Sequence, residues 1–175
     1  QDNKLEAGAD ADTLYGGAGA DIISGGQGAD DLKGYGLSTG TDSDFDTVSY
    51  AYVGSLNSVT VDLSTGTGLV TVGTDTSDTD TLTGFENVIG GAGADTITGS
   101  SVANIIKAGS GADIITGGAG ADDLQGEAGN DTFKATSATD GADIIDGGID
   151  SDTIDYSALG SANNITVTLA SDGTT

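Results

Sequence analysis

The chain has no cysteine, proline, methionine, tryptophan, histidine or arginine, and its only aromatic residues are five tyrosines and three phenylalanines. Each absence removes a class of chemistry. Without cysteine there is no disulfide, no thiolate nucleophile and no structural zinc site. Without histidine there is no Ser-His-Asp triad, no imidazole base and no imidazole metal ligand. The four basic residues, all lysines, cannot neutralise a phosphate backbone, which excludes nucleic acid as a partner. An anionic membrane surface would repel the chain. Its purely apolar stretches are a few residues long, so nothing in it resembles a membrane span or an N-terminal signal peptide, and no direct membrane insertion is expected.

What is present is acid and glycine. Twenty-eight acidic residues set against four lysines give a net charge of −24, and 31 of the 175 residues are glycine. All the acids except Glu6, Glu86 and Glu127 are aspartates. Low hydrophobicity with high charge fits two states: a disordered chain, or a fold that needs a neutralising cation. The length permits one domain or two small ones.

The pattern decides for the fold. Residues 16–24 read GGAGADIIS and 25–33 read GGQGADDLK, while 7–15, AGADADTLY, keeps the register with Asp10 in place of a glycine. The pattern returns at 90–98 (GGAGADTIT) and runs without a gap to Lys134. After three extra residues, 138–146 and 147–155 resume it, and weaker copies stand at 41–49 and 75–83. A nine-residue period with glycines, an aspartate and an aliphatic residue at fixed offsets is the mark of a solenoid.

A longer repeat overlies the first. Residues 41–63 align with 147–169 at an offset of about 106, with Asp46, Tyr50, Gly54, Ser55, Asn57, Thr60, Val61 and Leu63 matched or recurring in type. The second copy stops at Thr175, where the continuation seen in the first would begin, so the chain is expected to belong to a longer array. Residues 50–74 leave the nonapeptide pattern. Val59, Val61 and Leu63 alternate, a Ser-Thr-Gly-Thr-Gly turn follows, and Leu69 to Val72 read as a second strand of a hairpin. The expected organisation is a first roll block at 1–49, a β connector at 50–74, a second roll block at 75–155 and the start of another connector at 156–175.

Each nonapeptide divides into six residues of turn and three of strand. Glycine at positions one, two and four permits backbone angles closed to other residues. In the strand, the aliphatic residue at position eight points one way and its neighbours the other. Leu14, Ile23, Leu32, Ile97, Ile106, Ile115, Leu124, Phe133, Ile145 and Ile154 hold this inward position. Ile22, Ile105, Ile114 and Ile144, at position seven, are expected to face outward. Three residues make no stable strand alone, so units must stack, two per turn of roughly 18 residues. The predicted fold is all-β: a parallel β-roll, or solenoid, of two narrow sheets around a thin aliphatic core, in two blocks joined by the hairpin connector.

The turns then hold the chemistry. An aspartate at position six recurs as Asp12, Asp21, Asp30, Asp46, Asp80, Asp95, Asp113, Asp122, Asp131, Asp143 and Asp152. Stacking arranges these in two columns at about one strand spacing, roughly 4.8 Å, where bare carboxylates repel. A hard cation removes the conflict. Calcium, which takes six to eight oxygen ligands, suits carboxylates and carbonyls better than magnesium, and soft metals find no ligand. The pairs Asp30-Asp31 and Asp122-Asp123 read as position six followed by an outward position seven, not as catalytic carboxylates, and no catalytic residue is assigned.

GGxGxD followed by an aliphatic residue, over some ten units, resembles the hemolysin-type calcium-binding nonapeptide repeats of RTX proteins; the good matches cover 7–33 and 90–155. The resemblance implies calcium ions between turns n and n+2, each held by two position-six aspartates and by turn carbonyls. Carried over, the pairs are Asp12 with Asp30, Asp95 with Asp113, Asp113 with Asp131, Asp122 with Asp143, and Asp131 with Asp152. The implied carbonyl donors are Gly17, Gly19, Gly26, Gly28, Gly91, Gly93, Gly109, Gly111, Gly118, Gly120, Gly129 and Gly148. Asn104 interrupts one column, and Asp21 finds a partner only if the irregular turn at 34–40 supplies one. Roughly six to eight ions would offset about half of the charge or more. The resemblance further implies a non-catalytic module of a secreted or cell-surface bacterial protein that folds on calcium after type I export. A surface-layer protein or adhesin, with neighbouring copies in a lattice or filament, comes first. The alternative is the repeat domain of a secreted protease, lipase or epimerase, or of a toxin.

Overall fold

The computed structural model describes residues 1–35, 44–72, 75–136 and 141–159, with the backbone alone for 69–72 and 75–77. Among the described residues there are sixteen strands and no helix. They form two sheets. The first contains, in spatial order, β1 (Lys4–Glu6), β3 (Ile22–Ser24), β5 (Thr47–Ser49), β9 (Asn87–Ile89), β11 (Ile105–Ser110), β13 (Asp123–Ala128) and β15 (Ile144–Asp146). The second contains β16 (Thr153–Asp155), β14 (Thr132–Lys134), β12 (Ile114–Thr116), β10 (Thr96–Thr98), β6 (Asn57–Asp62), β7 (Thr67–Val72), β8 (Asp75–Thr83), β4 (Asp31–Tyr35) and β2 (Thr13–Gly17). Successive nonapeptides alternate between the sheets and pair in parallel, with Lys4 opposite Ile22, Thr96 opposite Ile114 and Ile105 opposite Asp123. This is the parallel β-roll that the repeat predicts.

The core follows from the period. Ile23, Leu32, Val48, Leu82, Ile97, Ile106, Ile115, Leu124 and Phe133, all at position eight, are buried, and Leu14 and Ile145 pack partly buried against them. Ile154 departs from its inward assignment: it is 36% exposed, because no described strand stacks beyond β16 to cover it. At position seven Ile22, Ile105 and Ile144 are exposed, as the alternation requires, while Ile114 is partly covered.

The hairpin expected at 50–74 forms as β6 and β7, with Asn57 opposite Val72 and Asp62 opposite Thr67. It does not hang off the roll. β6 pairs in parallel with β10, and β7 pairs antiparallel with β8, which pairs in parallel with β4. In the first sheet β5 pairs directly with β9, Thr47 opposite Asn87. Both blocks therefore share both sheets, and the hairpin contributes Val59 and Val61 to a common core that also takes in Tyr50, Val53, Phe85 and Val88. The turn that leads out of β5, closed by the Val53 N–H on the Tyr50 carbonyl at 2.8 Å, recurs after β16 as the Leu159 N–H on the Tyr156 carbonyl at 3.0 Å. The 106-residue repeat is thus structural as far as residue 159; residues 160–175, where the rest of a second connector is expected, lie outside the described residues.

With one aliphatic side chain per strand, each carries much of its turn's burial. Replacing fully buried Ile115 by alanine is expected to cost about 3 kcal/mol. Leu56, 93% exposed, should tolerate the same change within about 0.5 kcal/mol. Denaturant titrations in calcium measure both.

Candidate metal centre

Every turn is tied to the next by its position-six residue. The backbone N–H of Asp12 donates to Asp30 Oδ1 at 2.9 Å, that of Asp95 to Asp113 Oδ1 at 2.7 Å, and that of Asp113 to Asp131 Oδ1 at 2.9 Å. The carbonyl of the same residue accepts from position seven of the next turn, as Asp113 does from the Thr132 N–H at 2.8 Å. Asp21, Asp30, Asp46, Asp95, Asp113, Asp122 and Asp131 are thereby clamped at both backbone groups, and each has one carboxylate oxygen committed to the strand or turn stacked before it.

All five expected pairs stack in this way. Asp122 meets Asp143 at 3.1 Å and Asp131 meets Asp152 at 3.0 Å across 21 residues, so the three-residue insertion leaves the contact unchanged. Two further stacks were hidden by irregular spacing. The Asp21 N–H donates to Asp46 Oδ1 at 2.8 Å across 25 residues, and the Asp30 N–H to Asp80 Oδ1 at 2.9 Å across 50. Asp21 therefore finds its partner in an aspartate beyond the irregular segment; residues 36–43 and 137–140, on which expectations about those two turns fall, lie outside the described residues.

The second carboxylate oxygen turns back over its own turn. An added Cβ on Gly117 would collide with Asp122 Oδ2, and one on Gly126 with Asp131 Oδ2, which is why position one is glycine. The carboxylates of Asp21, Asp30, Asp113 and Asp131 are buried, and the Oδ2 atom of each meets no hydrogen-bond donor. An anionic oxygen in that state is costly unless a cation is close. Turn carbonyls stack just as closely. Those of Gly91, Gly93, Gly111 and Gly120 face Gly109, Gly111, Gly129 and Gly141 of the next turn so closely that no side chain fits between. Gly17, Gly19, Gly26, Gly28, Gly109, Gly118, Gly129 and Gly148 adopt positive φ. The Gly26 carbonyl accepts from the Tyr52 hydroxyl. Asp10, Glu127 and Asp150 stand at glycine positions of the repeat with φ of 79°, 72° and 83°; the Asp10 and Glu127 carbonyls face Gly28 and Gly148 of the next turn, and that of Glu127 accepts the Ile149 N–H at 2.9 Å. Such angles cost a non-glycine residue of order 1 kcal/mol or more, which the stacking offsets.

The donor set fits calcium. Among the described residues no three carboxylates converge, so each gap offers at most two side-chain groups and carbonyls must complete a shell of six to eight oxygens. No nitrogen or sulfur ligand competes. Burial raises the Asp113 carboxyl to about 7, and it also raises those of Asp30, Asp95 and Asp131.

The middle of the roll differs. Asp80, pushed up to about 6 by burial, accepts the Tyr50 hydroxyl on Oδ2 at 2.8 Å in addition to the Asp30 N–H. Asp95 accepts the Val59 N–H at 2.7 Å and the Gly91 N–H at 2.8 Å, one on each oxygen. Asn104 accepts the Ser100 N–H and donates to the Glu86 carbonyl at 2.6 Å. Glu86 holds a position-six place that the repeat pattern alone did not assign, accepting the Asp46 N–H at 3.0 Å. The signal was present in Glu86-x-Val88 ahead of Gly90-Gly91, with glutamate standing for aspartate.

A parallel roll whose stacked turns bury carboxylates against carbonyls defines a cation-binding repeat protein. A model of the RTX calcium-binding nonapeptide repeat matches four stretches, residues 1–32, 80–101, 98–133 and 137–158, more than half of the chain. The chain belongs to this family, and is a calcium-binding structural repeat module. No curated relative matches it. Repeat domains of the family are typically non-catalytic.

The raised carboxyls give a pH dependence with a definite sign. A group whose folded value lies above its ordinary 3.8 contributes stability that is complete below pH 3.8 and lost as pH rises through the folded value, about 7 for Asp113. The decalcified chain in metal-free buffer should melt at lower temperature at about pH 8 than at about pH 5, and Asp113→Asn should flatten the slope. A midpoint that rises with pH would contradict this assignment.

Proposed function

We propose that this chain is a calcium-dependent structural module of a large secreted or cell-surface bacterial protein, a surface-layer protein or adhesin, that folds on meeting calcium outside the cell. The observation that carries the reading is the set of buried, donorless Oδ2 atoms on Asp21, Asp30, Asp113 and Asp131, each in a turn stacked on another. Of the eleven position-six aspartates expected as ligands, we assign the carboxylates of Asp12, Asp21, Asp30, Asp46, Asp113, Asp122, Asp131, Asp143 and Asp152, completed by turn carbonyls, and leave out Asp80 and Asp95, whose two oxygens each accept donors of the chain itself. Two roll blocks, 1–49 and 75–155, carry these sites, with the hairpin segment 50–74 between them and a second connector opening at 156.

Calcium that binds the native turns and not the unfolded chain stabilises the fold in proportion to the logarithm of its concentration. Low cytosolic calcium then leaves the chain poorly folded for export by a type I route, and calcium near millimolar outside drives it to fold. The 106-residue duplication favours an extended array, and so a lattice or filament of neighbouring copies, over a short tail on an enzyme. Circular dichroism tests the folding switch: a β-rich spectrum is expected in calcium and a large loss of its amplitude in EGTA. A spectrum unchanged by EGTA sinks the reading. Asp113→Asn should bind fewer calcium ions than the parent, counted by titration calorimetry.

A further inference from the structure

The position-six residues fall into two kinds. At the flanks, Asp21 and Asp30 on one side and Asp113 and Asp131 on the other are buried with an oxygen that has no donor. Between them, Asp80, Asp95 and Asn104 are equally buried, yet the chain itself supplies their partners. The Tyr50 hydroxyl and the Asp30 N–H take the two oxygens of Asp80; the Gly91 and Val59 N–H groups take those of Asp95. Asn104 carries no charge at all, and its amide spans to the Glu86 carbonyl of the adjacent turn. A cation has little to gain at these three places, because the charge it would neutralise is already met by donors or was never there.

The same stretch has the bulkiest core. Tyr50 and Phe85 are buried here beside Val53, Val59, Val61 and Leu82, where a regular turn offers one aliphatic side chain per strand. Gly68 in β7 has no side chain because the Tyr50 hydroxyl fills that space. The hairpin also supplies two six-residue strands to a roll otherwise built largely from strands of three to six. More buried area and fewer unmet charges act in the same direction.

From these observations we infer that the middle of the roll, from Tyr50 to Asn104, is a waist that holds its structure without calcium, and that the calcium-dependent flanks order outward from it. The Tyr50–Asp80 hydrogen bond is its staple, placed where other turns leave a carboxylate oxygen open to a cation. Asp80 is a structural acceptor and not a ligand. The inference rests on the calcium reading of the flanks and refines where in the chain that dependence lies.

Hydrogen–deuterium exchange of the whole chain, with calcium and in EGTA, separates the two. Amides of β6, β9 and β10 are expected to keep their protection in EGTA, while those of 16–30 and 111–134 lose at least about tenfold. Loss of protection throughout in EGTA would overturn the waist and leave the calcium reading intact. Full protection throughout in EGTA would overturn both. Tyr50→Phe is expected to lower protection of the waist in EGTA with the number of bound calcium ions unchanged. Asp80→Asn should also leave that number unchanged, in contrast to Asp113→Asn; loss of an ion in Asp80→Asn would make Asp80 a ligand and overturn the staple.

Discussion

Everything in this roll depends on one divided carboxylate. At position six, one oxygen binds the N–H of the turn before it, and the other is left buried beside its own position-one glycine. The first contact fixes the stacking of turns and holds strands of three residues in register, which such strands cannot do for themselves. The second oxygen makes the stacking conditional. Adjacent charges about 4 Å apart repel by roughly 1 kcal/mol in water and about 4 kcal/mol at the effective dielectric near a protein surface. Successive carboxylates in a column therefore oppose the very geometry that their own hydrogen bonds create, until a cation joins them.

The distribution of the few positive charges agrees with this division of labour. Lys33 lies on a sheet face, paired with Asp31 and set over the Tyr15 ring, and Lys4 pairs with Glu6 on the edge strand β1. Neither reaches the stacked turns. A lysine there would need room that the close approach of successive turns denies, since even a Cβ on Gly111 would strike the Gly93 carbonyl. Eleven of the aspartates behind the charge of −24 stand at position six of these turns.

What was legible in the sequence is what the nine-residue period governs. The inward position-eight residues from Ile23 to Phe133, the outward Ile22, Ile105 and Ile144, and the three aspartate stacks at 18 residues follow from the period itself, and the stacks of Asp122 on Asp143 and Asp131 on Asp152 follow once the three inserted residues are added to it. What was not legible depends on chain segments that interrupt the period. Asp46 meets Asp21 across 25 residues and Asp80 meets Asp30 across 50, and no count of nine leads there. Glu86 is similarly obscured by its shortened turn and its extra methylene. Nor does composition show that Asp80 differs from Asp113: both are position-six aspartates, and only the packing of Tyr50 beside the first separates them.

The hairpin shows how a solenoid absorbs an insertion without losing its register. By entering the second sheet between β10 and β8 it leaves that sheet with nine strands against seven in the first. The extra span must be filled from within, and Tyr50, Val53 and Phe85 are the side chains that fill it. The longer repeat then has a geometric consequence. β5 and β16 are equivalent across 106 residues and are followed by the same turn, yet β5 belongs to the first sheet and β16 to the second. An odd number of half-turns therefore separates the two copies. The turn shared by Tyr50 to Val53 and Tyr156 to Leu159 thus leaves opposite sheets in the two copies, and the alternation of nonapeptides between the sheets continues across the inserted hairpin.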